Sequence, residues 1–232
     1  MRAPAVVAEN LSKSYDGTGS PVPVLRGVSL SVAPGEFVAV TGPSGCGKTT
    51  LLNCLSGLDA PTSGRALLSG HDLAALSDDE RTRLRGRKVG FVFQSYNLLP
   101  VLSAVENVEL PLLIAGQAET QARAEALATL SELGLSHRAH HLPKQLSGGE
   151  QQRVAIARAI VHRPEIVFAD EPTGNLDSAT GRSILELLAK TRRARGVTLV
   201  VVTHDASVAS LADRVVAMES GRILSHARPA GG

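Results

Sequence analysis

An α/β domain built on a mostly parallel sheet, with helices on both faces, is the fold class this sequence predicts. Three observations predict it. Residues 37–41, 89–93, 166–169 and 197–202 are short apolar runs separated by helical stretches, and continuous apolar strands mark a sheet buried on both faces. A glycine-rich turn, Gly42 to Thr49, joins the first run to the helical stretch that begins at Thr50. Polar residues close each run: that turn, Gln94, Asp170-Glu171 and Thr203-His204 all stand at strand carboxyl ends, the edge where such sheets bind ligands.

The chain has 232 residues, 43% of them hydrophobic, enough for one large domain or one with a small inserted lobe. A net charge of +2 is too balanced to point to nucleic acid or an acidic substrate. Cys46 and Cys54 form neither a CxxC nor a zinc pattern and suit a reduced, cytosolic protein. Met1 to Leu11 lacks a long apolar core and meets Glu9, so no signal peptide is expected. The uncharged stretch 89–105 is short for a membrane span and contains Gln94, Asn97 and Pro100.

The elements follow in order. Val6-Val7-Ala8 opens a strand, and Val28, Leu30 and Val32 alternate with Ser29 and Ser31 as in a half-buried one. Residues 16–23, rich in Gly and Pro, are expected to be a loop. A turn at 60–64 precedes a short strand over 65–69. Ser77-Asp78-Asp79-Glu80 is a capping box for a basic helix through about Arg85. Residues 96–163 turn helical, with Leu127, Leu130 and Leu133 at helical spacing and Gly134 as a stop. A helix over about 183–193 carries Ile184, Leu187 and Leu188 on one face. Residues 215–218 and 223–224 flank a turn at Ser220-Gly221.

The turn Gly42-Pro43-Ser44-Gly45-Cys46-Gly47-Lys48-Thr49 fits G-x-x-x-x-G-K-[ST] in its required setting between strand and helix. Backbone N–H groups and a helix N-terminus aimed at one point attract phosphate. Lys48 supplies a mobile positive charge for the β- and γ-phosphates, and the Thr49 hydroxyl suits Mg²⁺. Asp170 is either a magnesium-holding carboxylate or a polar strand exit; beside a phosphate loop the first reading gains weight. Glu171, facing another way, suits the polarising of an attacking water. Gln94 either touches metal and water or satisfies a strand end. His204 either holds a phosphate oxygen and the water or is structural.

Leu146-Ser147-Gly148-Gly149-Glu150-Gln151 precedes a helix with Val154, Ala157, Ile160 and Val161 on one side. Ser147 and Glu150 make a capping box. Two glycines at a helix start cost stability, which makes sense where bare N–H groups approach an anion; both readings can hold together. Taken together, these motifs closely resemble the ATP-binding-cassette ATPases, whose signature is matched by residues 146–151, and the resemblance runs from Tyr15 to about Arg222.

That resemblance implies a P-loop NTPase (RecA-like) core, an N-terminal antiparallel β subdomain and an inserted helical subdomain over about 96–163, within one domain spanning 1–232. It makes Tyr15 the aromatic that stacks on adenine and Gly42 to Thr50 the ATP cradle. Gln94 becomes the Q-loop residue, Asp170 the Walker B aspartate, Glu171 the catalytic glutamate and His204 the switch histidine, with Asn175-Leu176-Asp177 in the D-loop. Lys48, Gln94, Glu171 and His204 are thus the expected catalytic set, and Thr49, Gln94 and Asp170 the Mg²⁺ set. Two cassettes of this family pair head to tail, so Ser147, Gly148, Gly149 and Glu150 of one chain are expected over ATP on the other chain's Lys48, in a homodimer.

Residues 91–100, 106–112 and 171–177 are similar to the group of macrolide-export and lipoprotein-release ATPases, with a cell-division ATPase as a near relative. The implied partner is an integral-membrane permease, met by residues 96–105, at the cytoplasmic face of a bacterial membrane. Aromatic residues are 3% of the chain and none interleaves the basic cluster Arg81, Arg83, Arg85, Arg87 and Lys88. Base stacking there is unsupported, so no nucleic acid is expected and the cluster is taken as a solvated helix face. His137, His140 and His141 lack nearby cysteines and fit a loop better than a metal site. A cassette ATPase acting on DNA or ribosomes, and a regulatory or cell-wall cassette, are the alternatives. Long coiled-coil insertions or a second cassette, which mark the DNA and ribosome class, are absent from the sequence.

Overall fold

The computed structural model describes residues 3–17, 20–205, 208 and 210–227. Strand β1 (Val6–Tyr15) pairs antiparallel with β2 (Val22–Val32) and with β4 (Ser63–Leu68), and a short β5 (His71–Asp72) completes a four-stranded sheet. The second sheet has six strands in the order β10-β9-β3-β8-β7-β6. These are β3 (Phe37–Thr41), β6 (Val89–Phe93), β7 (Ile166–Asp170), β8 (Thr198–Thr203), β9 (Arg214–Glu219) and β10 (Arg222–Ala227). All pair in parallel except the terminal β9–β10 hairpin.

The parallel sheet divides two cores, and the period-2 alternation of strand side chains explains how. Phe37 and Ala39 of β3, Val167 and Ala169 of β7, and Leu199 and Val201 of β8 face one core. Val38 and Val40, Ile166 and Phe168, and Val200 and Val202 face the other. Each Val, Leu, Ile or Phe so buried contributes roughly 1.5–3 kcal/mol. The first core is closed by α3 (Ala104–Ile114), α4 (Glu119–Glu132), α5 (Gly148–Ile160) and α6 (Ser178–Arg195). The second is closed by α1 (Lys48–Ser56) and the antiparallel sheet.

Local chemistry starts and stops these helices. Capping boxes at Ser77–Glu80, Ser103–Glu106 and Ser147–Glu150 start α2 (Asp78–Lys88), α3 and α5. The Asp177 carboxylate caps α6 by accepting from the N–H groups of Ala179 and Thr180, and Gly196 in the left-handed region ends it.

Several expectations shift. Val22 and Pro23 belong to β2, paired with Tyr15 and Ser14, so the loop before it is shorter than expected; Thr18 and Gly19 of that loop lie outside the described residues, as do Met1 and Arg2 at the start of the segment read for a signal peptide. Proline is tolerated because β2 is an edge strand. The helix expected over 183–193 starts earlier, at Ser178. On α4 the buried face is Ala122, Ala126 and Leu130, while Leu127 is exposed. The basic cluster sits on α2, which buries no side chain. Arg81 pairs with Asp78 and Lys88 with Glu165, and Arg85 donates to the Gly57 carbonyl at 2.6 Å.

Candidate functional site

The carboxyl ends of β3, β6, β7 and β8 open onto a cleft of about 410 Å³. Ser44, Gly45, Gly47, Lys48, Thr49 and Thr50 line it from the glycine turn, and Gln94, Glu171 and His204 line it from the neighbouring strand ends. The convergence expected from strand order is therefore realised in space. Val24 of β2 also lines the cleft, and nothing local in the sequence pointed to it.

The turn is shaped by close approach. A Cβ on Gly42 would lie 2.2 Å from the Met218 carbonyl oxygen, and one on Gly47, at φ 101°, would lie 3.0 Å from the Val24 carbonyl oxygen. Pro43, Gly45 and Cys46 complete the turn, with Cys46 buried and its N–H donating to the Pro43 carbonyl at 3.3 Å. Gly47 gives α1 no side-chain cap, and the first turn carries no carboxylate. It carries Lys48 instead, a cation where the helix dipole favours an anion. Lys48 Nζ donates to the carbonyls of Gly42 (2.9 Å) and Pro43 (3.0 Å).

Opposite, Thr49 Oγ1 donates to Asp170 Oδ1 at 3.1 Å. Burial pushes the Asp170 carboxyl above its ordinary pKa, the Glu171 charge adds to this, and Thr49 and Lys48 offset part of it. Glu171 has φ 45°, a left-handed conformation that costs a residue with a Cβ roughly 1–3 kcal/mol. Its N–H donates to the Val202 carbonyl at 2.9 Å, and its own carbonyl accepts from Gly174 at 3.0 Å. This bend turns the carboxylate toward β8, where Glu171 Oε2 lies 3.0 Å from His204 Nδ1. Gln94 and Asn175 are joined twice, Gln94 Nε2 to Asn175 Oδ1 at 3.3 Å and Asn175 Nδ2 to the Gln94 carbonyl at 3.1 Å.

The remaining expected residues lie off this cleft. Tyr15 is not among its lining residues; it sits at the end of β1 beside Thr50, with its hydroxyl on Asp59. The Ser147–Glu150 segment is apart as well. Ser147 Oγ accepts from the Glu150 N–H at 3.3 Å, and Glu150 Oε2 accepts from the Ser147 N–H at 2.8 Å. Arg138 holds the other Glu150 oxygen at 2.9 Å and faces His141 at 3.2 Å. The glycines have a packing reason missed from sequence: a Cβ on Gly149 would lie 2.6 Å from the Thr180 methyl, and one on Gly148 2.9 Å from the Tyr96 hydroxyl. The first N–H groups of a helix have no intrahelical partner, so those of Gly148 and Gly149 point outward from the start of α5.

Comparison with known proteins follows the same motifs. A family model described as ABC transporter matches residues 25–174. The Macrolide export ATP-binding/permease protein MacB of Syntrophobacter fumaroxidans is 51% identical over 93% of this chain, which spans only 30% of that relative's length. The lipoprotein-releasing system ATP-binding protein LolD of Xanthomonas campestris pv. campestris is 49% identical over 95% of this chain and 92% of its own. A dimeric, post-hydrolysis structure of the ATP-binding cassette MJ0796 bound to ADP and Pi superposes with a TM-score of 0.90 at 43% identity, covering 98% of this chain and all of that one.

Proposed function

This chain belongs to the ABC transporter family of ATP-binding domains, and from that premise we propose that two copies clamp ATP between them and drive a membrane permease. The carrying observation is the cleft, where the phosphate turn, Gln94, Glu171 and His204 meet although they lie far apart in sequence.

In this reading the N–H groups of residues 44–50 and Lys48 hold the phosphates, and Tyr15 stacks on adenine. Glu171 takes a proton from the attacking water, and His204 holds the Glu171 carboxylate and the γ-phosphate. Ser147, Gly148, Gly149 and Glu150 of the second copy close the site from above. The donor set also fits Mg²⁺: a hydroxyl (Thr49), a desolvated carboxylate (Asp170) and the amide oxygen of Gln94, left over once its nitrogen has turned to Asn175. When bound, the ion neutralises charge on the β- and γ-phosphates.

Residues 1–232 act as one domain, with about 96–163 as a helical lobe that meets the permease. Supporting this, a groove of about 440 Å³ lined by Phe91, Phe93, Asn97 and Arg158 borders the lobe, and Val101 and Ile114 are 80% and 78% exposed apolar residues. Among the described residues no helix is long and apolar enough to cross a membrane. In this reading the chain sits peripherally beside a permease on the cytoplasmic face, as the likeness to LolD supports. The names of the relatives MacB and LolD point to macrolide export or lipoprotein release as the type of system. Phosphate release from ATP and Mg²⁺ by the purified chain tests the enzyme: the wild type turns over and Lys48→Ala does not, while equal rates defeat the assignment.

A further inference from the structure

Tyr15 does not stand alone at the end of β1. Lys13, two residues earlier and so on the same face of the strand, places Nζ 4.8 Å from the centre of the Tyr15 ring. Asp59, in the turn after α1, binds both side chains at once. Its Oδ1 accepts from Lys13 Nζ at 2.7 Å and its Oδ2 accepts from the Tyr15 hydroxyl at 2.7 Å. Lys13 Nζ also donates to the Ala60 carbonyl at 2.7 Å. The Asp59 N–H donates to the Asn53 carbonyl at 3.1 Å, anchoring the turn to the last residues of α1. Since α1 begins inside the phosphate turn, one rigid helix connects Asp59 to the phosphate cradle.

Burial alone would raise the Asp59 carboxyl, but the Lys13 ammonium and the Tyr15 hydroxyl outweigh it and hold it below the usual carboxylate range. The carboxylate therefore stays ionised and able to accept both bonds across neutral and mildly acidic pH. Tyr15 remains 41% exposed. With the ammonium on one face and the hydroxyl tied down, one face is left for a ligand.

We propose that Asp59 and Lys13 are positioning residues that lock the Tyr15 ring as a one-sided platform for the nucleotide base, at a fixed reach from the phosphate turn. This rests on the reading of the cleft as an ATP site and adds two residues to it. A ring ordered in advance costs less to order on binding. Releasing the tether therefore weakens base recognition and leaves phosphate recognition alone.

The test compares ATP with tripolyphosphate, a probe without a base, on the full chain. Asp59→Ala and Tyr15→Phe are each expected to weaken ATP binding about three- to tenfold, the net worth of one ordinary hydrogen bond. Tripolyphosphate binding stays within twofold of wild type in both variants. Tyr15→Phe keeps the ring and removes a single oxygen, so misfolding does not obscure the result. ATP binding within twofold of wild type in both variants overturns the proposal, as does equal weakening of both ligands. A wild type that binds ATP no tighter than tripolyphosphate overturns it with the phosphate cradle intact; one that binds neither overturns the ATP reading as well.

Discussion

Two helices of this molecule start next to glycines, and they start in opposite ways. At α1, Gly47 offers no cap, no carboxylate stands in the first turn, and Lys48 brings a cation to the positive end of the helix. At α5, Ser147 and Glu150 cap each other, Glu150 is the favourable charge, and Arg138 steadies it. The first start sets a cation against the helix dipole, an interaction of roughly 0.3–1 kcal/mol. The second is stable as it stands and offers only the outward N–H groups of Gly148 and Gly149. One chain thus carries a complete phosphate cradle and a separate, self-sufficient lid. In the proposed reading the lid serves the cradle of another copy.

The largest expected effect comes from the cradle. Lys48→Ala removes the only lysine of α1, and ATP affinity is expected to fall about 10–100-fold, with hydrolysis at background, read by nucleotide titration and phosphate release. Near-normal turnover would break the contrast outright. Glu171→Gln keeps shape and loses the base, so kcat is expected to fall about 10²–10⁴-fold while ATP still binds; a small change in kcat would move proton transfer to another group.

Changes in the lid are expected to be milder and of a different kind. Ser147→Ala uncaps α5 at a cost of about 1 kcal/mol, a fall of about 2–4 °C in Tm. ATP binding by the monomer is expected within twofold of wild type, and ATP-driven pairing weaker. If monomer binding falls instead, the lid is serving its own cradle.

The smallest effect is a gain. Asp170 is a carboxylate whose pKa is raised by burial, so its charge opposes folding. Asp170→Asn is expected to melt slightly higher without ligand while losing activity. The folded pKa lies above the unfolded one, so the penalty is full at pH above the folded value. It fades as pH falls toward the ordinary carboxylate range, and the two melting curves should converge there. An Asp170→Asn that melts lower at neutral pH would place the stabilising weight on the Thr49 hydrogen bond.

The same contrast explains what was legible in the sequence. The parallel strands were, because each is an apolar run whose alternate residues feed two cores. The glycine turn was, because its residues are contiguous, and two of its glycines, Gly42 and Gly47, answer to backbone crowding. The α5 cap was, through its Ser147–Glu150 spacing. Long-range contacts were not. Asp59 is 46 residues from Lys13 in sequence, and the Thr180 methyl that requires a glycine at 149 belongs to another helix. The early start of α6 was hidden too, since the Asp177 cap opens a turn of Ser, Ala, Thr and Gly with little apolar pattern.

The central claim, a cradle closed by another copy's lid, is tested most directly by sedimentation of Glu171→Gln with and without ATP and Mg²⁺. The account predicts a monomer alone, a dimer with nucleotide, and a return to monomer when Ser147→Ala is added. A Glu171→Gln protein that binds ATP and remains monomeric at every concentration would contradict it.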